Sequence, residues 1–236
     1  MASRGEAEFS RLPRFAARAY DWLLRPNCIQ ARVEDVARFL VSRVERGRLL
    51  DVGMGLGWLL VNVHRLNPSI ELFGIDISAA MVQQAAGNLK GIPVGLGHGT
   101  IRRTDYPSDF FDVVTCMGSF YLWDYPEQSL EEVWRILKSG RSAYLFEADP
   151  DCGEDAFRAL GKNFRQLDLI RRFVAPRGLR KALTMSYHFS ELAGIAERTS
   201  FRASYQIGKV CLGGVPMWLR ITLRKTTPAS ANGTRT

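Results

Sequence analysis

Three glycines separated by single residues, Gly53, Gly55 and Gly57, follow the acidic residue Asp51. They lie between a short apolar segment that predicts a strand and an apolar period that predicts a helix. Glycine permits a turn too tight for a Cβ, and it lets a ligand lie against the main chain where the helix begins. Such patterns also occur in turns that bind nothing, so their context decides the interpretation.

Asp76 closes the next predicted strand, at about the distance expected of a group that binds ribose hydroxyls in an α/β unit. A carboxylate there can accept from both hydroxyls, each charge-assisted bond contributing roughly 1.5–3 kcal/mol. The alternative is a charge at a helix N-terminus, which is less favoured because Ser78 already supplies the cap. The Gly53-x-Gly55-x-Gly57 spacing differs from the GxGxxG pattern of dinucleotide sites.

A parallel sheet would bring these residues together, and the chain alternates strands and helices as such a sheet requires. Five apolar segments predict strands at Arg48–Val52, Ile70–Ile75, Ile92–Leu96, Phe111–Cys116 and Ser142–Glu147. Apolar residues at helical spacing predict four helices between and after these strands. The first carries Leu59, Val63 and Leu66, the second is capped by Ser78, the third runs from Pro126 to Lys138 and Gly140, and the fourth lies near Ser190–Thr199. A hairpin of Phe201–Val210 and Val215–Arg224 makes one edge antiparallel. We therefore predict an α/β fold with a seven-stranded mixed sheet and helices on both faces.

The remaining segments predict an N-terminal helical lid (1–46, with two helices within 10–45), a main domain (47–225) and a disordered tail (226–236). The main domain carries an insertion, 154–181, whose apolar residues suggest an amphipathic helix. Its eight Arg or Lys outnumber three acidic residues. Such a helix over the ligand crevice could steer an anionic substrate or meet a membrane surface. A solvated cover that packs its apolar side on the domain is the slightly preferred interpretation.

Composition narrows the class of protein. With 236 residues, 46% hydrophobic and 24% charged, the chain is typical of one globular α/β domain. Its start has no apolar core of a signal peptide, and we expect a cytoplasmic protein. Cys28, Cys116, Cys152 and Cys211 lie far apart, so we expect reduced thiols and no metal site. The net charge of +8 is compatible with nucleic acid, anionic lipid or an anionic small molecule.

Four ordered motifs resemble those of the class I S-adenosylmethionine (SAM)-dependent methyltransferases. They are the D/ExGxGxG pattern of Asp51–Gly57, then Phe73–Ser78, Phe111–Val114 and Arg135–Gly140. Together they look like the methyltransferase-type-11 group, which includes the quinone-biosynthesis C-methyltransferases. The resemblance runs from about residue 48 to 146, and more loosely through 187–225. It implies a Rossmann-like fold with SAM as cofactor.

The resemblance also implies residue roles. Gly53, Gly55 and Gly57 would approach the methionine part of SAM, Asp51 would hold the loop or the amino group, and Asp76 the ribose. The residues expected near the adenine or along the pocket are Ile77, Met81, Thr100, Ile101, Met117 and Gly118. The chain departs from the family at Gly97–Ile101, where Gly-Asp is usual, at Ser139, where proline is usual, and at Arg141, where glycine is usual.

Methyl transfer from a sulfonium is an in-line displacement, in which positioning alone can be worth roughly 7–11 kcal/mol. The cation favours aromatic faces, for which the candidates are Tyr20, Trp22, Trp58, Tyr121 and Trp123. Where the acceptor must lose a proton, His188 is the preferred base, although a residue that only starts a helix is the more favoured interpretation of it. Glu147 and Asp149 are alternatives at the end of the fifth strand. We take His188 and Tyr121 as the candidate catalytic residues.

The first hypothesis is a small-molecule methyltransferase whose acceptor, anionic or amphipathic, is enclosed by the N-terminal helices and the 154–181 cover. An RNA- or protein-directed enzyme is a second, although Met117–Phe120 stands where an Asn/Asp-Pro-Pro-Tyr motif would follow the fourth strand. The third is a catalytically silent SAM-binding partner subunit, which the altered adenine region keeps open. The exposed edge hairpin permits a homodimer, and peripheral membrane contact is also compatible with the sequence.

Overall fold

A seven-stranded sheet forms the centre of the protein. The computed structural model describes residues 10–11, 13–24 and 27–227, without the side chains of residues 24, 27–29, 178 and 181. The strands of the sheet are β1 (Gly47–Val52), β2 (Ile70–Asp76), β3 (Val94–His98), β4 (Phe111–Met117), β5 (Leu137–Ala148), β6 (Tyr205–Leu212) and β7 (Val215–Arg224). The order is β3-β2-β1-β4-β5-β7-β6. Strands β1 to β5 are parallel, whereas β7 is antiparallel to both its neighbours, which confirms the predicted mixed sheet.

Helices cover both faces of this sheet. They are α1 (Arg14–Leu24), α2 (Asn27–Val41), α3 (Trp58–Leu66), α4 (Ala79–Asn88), α5 (Pro126–Ile136), α6 (Glu154–Arg165), α7 (Leu169–Met185) and α8 (Phe189–Glu197). One core holds side chains of α2, α3 and α4, and a second holds those of α5 and α8. Adjacent residues of β1 divide between them, Leu49 into the first and Leu50 into the second, because side chains alternate along a strand.

The junction between α5 and β5 differs from the prediction. The helix was expected to continue to Lys138, but it ends at Ile136, and β5 begins at Leu137. Leu137 is fully buried beside Phe111 of β4. The Lys138 Nζ lies 2.7 Å from Oδ2 of Asp112, which is also on β4. Core burial and this ion pair therefore hold the segment in the sheet against its helical periodicity.

The boundaries of two other strands were also shifted in the prediction. Strand β3 begins at Val94 rather than Ile92. Strand β6 begins at Tyr205 rather than Phe201, which is buried in a turn with its ring centroid 4.9 Å from that of Trp134. An apolar residue buried by a helix is indistinguishable from a strand residue in the sequence alone.

Two predicted N-terminal helices are present as α1 and α2, and the insertion forms two helices, α6 and α7, instead of one. Asp168 separates them, because its Oδ1 accepts from the Arg171 N–H at 3.0 Å and caps α7. The hairpin turn contacts this region: the Gly213 N–H donates to Asp35 Oδ2 of α2 at 2.8 Å, and the Asn163 side chain of α6 donates to the Gly213 carbonyl. Helices α2 and α6 and the hairpin thus share one surface.

The domain limits proposed from the sequence remain predictions, and residues 228–236 of the expected tail lie outside the described residues. In the ranges that the structure does describe, every helix is too short or too polar to cross a bilayer.

Candidate functional site

A cavity of about 490 Å³ opens where β1, β2, β4 and β5 reach their carboxyl ends. This lies within the 300–1,000 Å³ range typical of small-molecule sites. The order of the strands reverses between β1 and β4, and ligands of open α/β sheets bind in the crevice at such a switch point. Helices α6 and α7 contribute side chains to the outer wall.

The glycine turn forms the inner wall of the cavity. The Gly53 and Met54 N–H groups donate to the Ile75 carbonyl at 2.8 and 3.1 Å, which fixes the turn to β2. Gly55 lines the cavity with a φ of +52°, and a Cβ added there would meet nothing within 4 Å. The absent side chain therefore leaves room for a ligand beside the main chain.

Gly57 has a different role from the one expected. Its φ is +76°, but the residue is not part of the cavity wall. A Cβ there would lie 2.8 Å from Leu89 Cδ1 and 3.3 Å from the Ala85 Cβ. The third glycine therefore allows α3 to approach α4, and the structure does not bring it to the ligand space.

We expect Gly55→Ala and Gly57→Ala to separate these two roles. Both impose a similar backbone cost, roughly 1–2 kcal/mol for a left-handed alanine. Gly55→Ala should also lower the affinity for S-adenosylhomocysteine at least about tenfold, because the new methyl group occupies space beside the main chain. The loss of a ligand contact worth about 1.4 kcal/mol gives a factor of this size. Gly57→Ala should lower the unfolding temperature further, yet leave the affinity unchanged. Calorimetric titration and thermal unfolding of both variants test this, and equal affinities would contradict it.

Asp76 braces the glycine turn. Its Oδ2 accepts from the Gly55 N–H, and its Oδ1 accepts from the Ser78 N–H, both at 2.8 Å. Burial raises the pKa of this carboxyl, while the two N–H groups oppose the increase. Each oxygen keeps a second lone pair, so the residue can hold the turn and still accept from a ligand hydroxyl.

Asp51 is a second carboxyl in the same cavity wall. It is only 2% exposed, and its Oδ1 has no hydrogen-bond partner among the described residues. Burial raises the pKa of Asp51 well above its ordinary value, and the nearby charge of Asp76 adds to the increase. A buried polar atom without a partner is costly, and two adjacent carboxyls attract positive charge. The pair therefore fits a ligand that carries a cation and a donor, as SAM does.

Glu147 lies at the end of β5, on the side of the cavity next to the turn after β4. It is 1% exposed, and its Oε1 accepts from the Phe120 N–H at 2.7 Å. Its Oε2 has no hydrogen-bond partner in the described part of the chain. Burial raises the pKa of Glu147 to about 8. A pKa near the working pH suits a group that exchanges a proton with a bound molecule.

His188 was the preferred base, and the structure does not place it at the cavity. It is the N-cap of α8, its side chain is exposed, and its Nδ1 lies 2.9 Å from Asp151 Oδ2. The backbone N–H of His188 is bound by Glu191 in a capping box. The residue serves a helix start on the surface, so Glu147, named as an alternative from the sequence, replaces it as the candidate base.

The structure brings most of the other predicted residues together in the cavity wall. Those that line it are Tyr20, Asp51, Gly53, Gly55, Asp76, Ile77, Met81, Thr100, Ile101, Met117, Gly118 and Tyr121. Of the further aromatic candidates, Trp58 and Trp123 line the cavity, whereas Trp22 is 41% exposed outside it. Across the described ranges there is also no group of three or more potential metal ligands.

Sequence reasoning predicted the 154–181 cover over the crevice, but it assigned no individual side chain to the apolar outer wall. This wall consists of Leu160 and Phe164 from α6, Ala175, Leu179, Ala182 and Met185 from α7, and Met217 and Trp218 from β7. The spacing of Leu160 and Phe164, one helical turn apart, was a usable signal for one inward face. No signal in the sequence indicated that β7 contributes to the wall, because nothing local reveals which end of a strand reaches a cavity.

Residues 50–145 match the family model described as a methyltransferase domain, the methyltransferase-11 family. The chain is 30% identical over 97 residues to an uncharacterized methyltransferase, YdaC, of Bacillus subtilis (strain 168), covering 41% of this chain and 54% of that protein. It is 33% identical over 106 residues to the demethylmenaquinone methyltransferase of Deinococcus radiodurans, covering 44% of each. The chain thus spans about half the length of these curated relatives.

Solved structures with the same fold cover nearly the whole chain. The plantazolicin methyltransferase BpumL, in complex with SAH, has a TM-score of 0.70 at 17% identity and covers 95% of both chains. A SAM-dependent methyltransferase from Aquifex aeolicus has a TM-score of 0.63 at 16% identity, covering 90% of this chain and 98% of its own. At these identities the likeness establishes the fold.

Proposed function

From the premise that the chain carries a class I SAM-dependent methyltransferase domain of the methyltransferase-type-11 group, we propose that the whole protein methylates a small, largely apolar acceptor. The observation that carries the proposal is the division of one cavity into two parts. Its inner part holds the glycine turn with Asp51 and Asp76, and its outer part is lined by apolar side chains of α6, α7 and β7. The first part suits the cofactor and the second suits the acceptor.

The inner residues would hold the cofactor in a defined direction. Asp76 would accept from the ribose hydroxyls, and Asp51 would accept from the amino group with Oδ1, the oxygen left without a partner by the described residues. Ile77, Met81 and Ile101 offer apolar contacts to the adenine. When bound, SAM would supply a methyl group on a sulfonium, which the acceptor attacks in line, so the protein need not provide a nucleophile. Tyr121 and Tyr20 present aromatic rings that favour a cation in the same space.

Glu147 would take the proton that the acceptor releases. Its Oε1 is fixed by the Phe120 N–H, and its Oε2, which has no hydrogen-bond partner among the residues that the structure describes, is the atom that can accept. Burial alone would keep this carboxyl protonated at neutral pH, since it raises the pKa to about 8. A cation in the cavity opposes that effect, so Glu147 ionises most readily when the cofactor site is filled.

These features favour an acceptor with an acidic hydroxyl on a ring and an apolar arm. The hydroxyl would face Glu147, and the arm would lie along Leu179 and Trp218. Among the relatives, one acts on demethylmenaquinone and another, of Oryza sativa subsp. japonica, on 2-methyl-6-phytyl-1,4-hydroquinone, according to their names. The second name describes a hydroquinone ring that carries an apolar phytyl arm.

The test is a methylation screen with labelled SAM and a panel of hydroquinones and phenols, each with and without an isoprenoid arm. We expect label in at least one compound that has the arm, with slower transfer to its counterpart without it. Mass analysis of the product identifies the accepting atom. If the protein binds S-adenosylhomocysteine tightly but transfers no label to any compound of the panel, the proposed acceptor class is contradicted. If it does not bind S-adenosylhomocysteine, the cofactor assignment itself is contradicted.

A further inference from the structure

Helix α7 has two faces with different tasks. Ala175, Leu179 and Ala182 line the cavity from one side of the helix. On the opposite side, Leu169 is 72% exposed, Ile170 64%, Phe173 66% and Val174 45%. Exposed apolar side chains are common when scattered singly, but four on one and a half turns form a continuous surface. The methyltransferase site does not use this outer face.

Helix α1, which contacts α7, also exposes apolar side chains. Phe15 is 76% exposed and Trp22 is 41% exposed, and their separation of seven residues puts them on one stripe. The two helices are joined at Arg171, whose guanidinium donates to the Trp22 carbonyl at 2.8 Å and lies 3.9 Å from the centroid of the Trp22 ring. We refer to Phe15, Trp22, Leu169, Ile170, Phe173 and Val174 as the outer apolar face.

The charges around the outer apolar face are positive. Arg14 and Arg18 on α1, and Arg172, Arg177 and Arg180 on α7, are exposed. The α7 segment contains no acidic residue, and Asp168 just before it is paired with Arg171. Apolar side chains flanked by arginine are the pattern of helices that lie in the interface of a membrane. Aromatic residues such as Phe15 and Trp22 also favour that interface.

We propose that the outer apolar face docks on a bilayer that contains anionic lipid. A second copy of the chain fits the surface less well, because a two-fold contact would press the arginine rim against itself. A lipid surface instead offers negative headgroups to the arginines and acyl chains to the apolar residues. This inference goes beyond the proposed function, although it would place the wall of the acceptor cavity next to the membrane.

The test measures binding of the full chain to sedimented vesicles, without cofactor or acceptor. One set consists of phosphatidylcholine, and the other of equal parts phosphatidylcholine and phosphatidylglycerol. We expect binding to the anionic vesicles that weakens as salt is added. The variant Leu169→Ser/Ile170→Ser/Phe173→Ser should bind at least about tenfold more weakly. Arg172→Glu and Arg177→Glu should each reduce binding about fivefold or more.

Phe189→Ser is the matched control, because Phe189 is 50% exposed at the start of α8 and outside the outer apolar face. It should bind vesicles like the wild type. All variants should keep the wild-type unfolding temperature and S-adenosylhomocysteine affinity, which keeps this test separate from that of the methyltransferase activity. Unchanged vesicle binding by the triple variant would overturn the proposal. So would a dimer in sedimentation that the triple variant abolishes while vesicles remain unbound.

Discussion

Asp76→Ala is expected to weaken S-adenosylhomocysteine binding about a hundredfold or more. Two charge-assisted hydrogen bonds to ribose hydroxyls, at roughly 1.5–3 kcal/mol each, account for a loss of this size. The substitution also removes the acceptor for the Gly55 and Ser78 N–H groups, so the turn itself loses support. Isothermal titration calorimetry on the folded variant measures the affinity, and circular dichroism reports whether it is folded.

Asp112→Ala provides the control for this experiment. Asp112 is also a buried aspartate, 4% exposed against 8% for Asp76, and it also accepts a backbone N–H, from Arg48 at 3.0 Å. It lies at the opposite end of the sheet, paired with Lys138. Its removal should cost stability and leave the affinity for S-adenosylhomocysteine intact. An Asp76→Ala protein that binds as tightly as the Asp112→Ala protein would remove the basis for the ribose assignment.

Glu147→Gln is expected to lower kcat about a hundredfold to ten-thousandfold, the range that a general base contributes. Glutamine has nearly the same shape, and its carbonyl can still accept from the Phe120 N–H. The affinity for S-adenosylhomocysteine should therefore change little. In the wild type, the rate should rise with pH as Glu147 ionises, and the variant should lose this rise. A variant with wild-type kcat and the same pH profile would exclude Glu147 as the base.

The same carboxyl makes the stability of the protein depend on pH. Its pKa is raised from 4.5 to about 8 in the folded state, so the folded form holds the proton more tightly than the unfolded chain. The stabilisation is therefore full below pH 4.5 and is lost as the pH rises through about 8. Across this window each pH unit costs the wild type up to about 1.4 kcal/mol. Urea unfolding at both ends of this pH window should show a smaller decrease in the free energy of unfolding for Glu147→Gln than for the wild type.

The order of strands and helices was predictable because each element carries its own local signal. Periods of apolar residues marked the buried faces, Ser78 marked a helix start, and the glycine turn with Asp76 marked the ligand edge. These signals depend on residues close together in the chain. The family motifs extended them by implying a Rossmann-like fold, and the hairpin after residue 200 supplied the antiparallel edge.

The roles of single residues were less predictable, because they depend on packing between distant elements. Gly57 and Gly55 are alike in the sequence, and the positions of Leu89 and Ala85 in the folded protein distinguish the packing glycine from the ligand glycine. His188 has the side chain expected of a base, but a capping box holds it at the surface. Glu147 is the reverse case, because nothing in the sequence shows that the folded protein buries its side chain and so raises its pKa.

The contact between the β6–β7 turn and α2 has a consequence for synthesis of the protein on the ribosome. The Gly213 N–H and the Asp35 carboxylate are 178 positions apart in the chain. Helix α2 therefore emerges long before the partner that anchors it has been translated, and long-range contacts of this kind form late in folding. A nascent chain that lacks β6 and β7 has an unfinished pocket, so ligand capture has to wait until both strands have been translated.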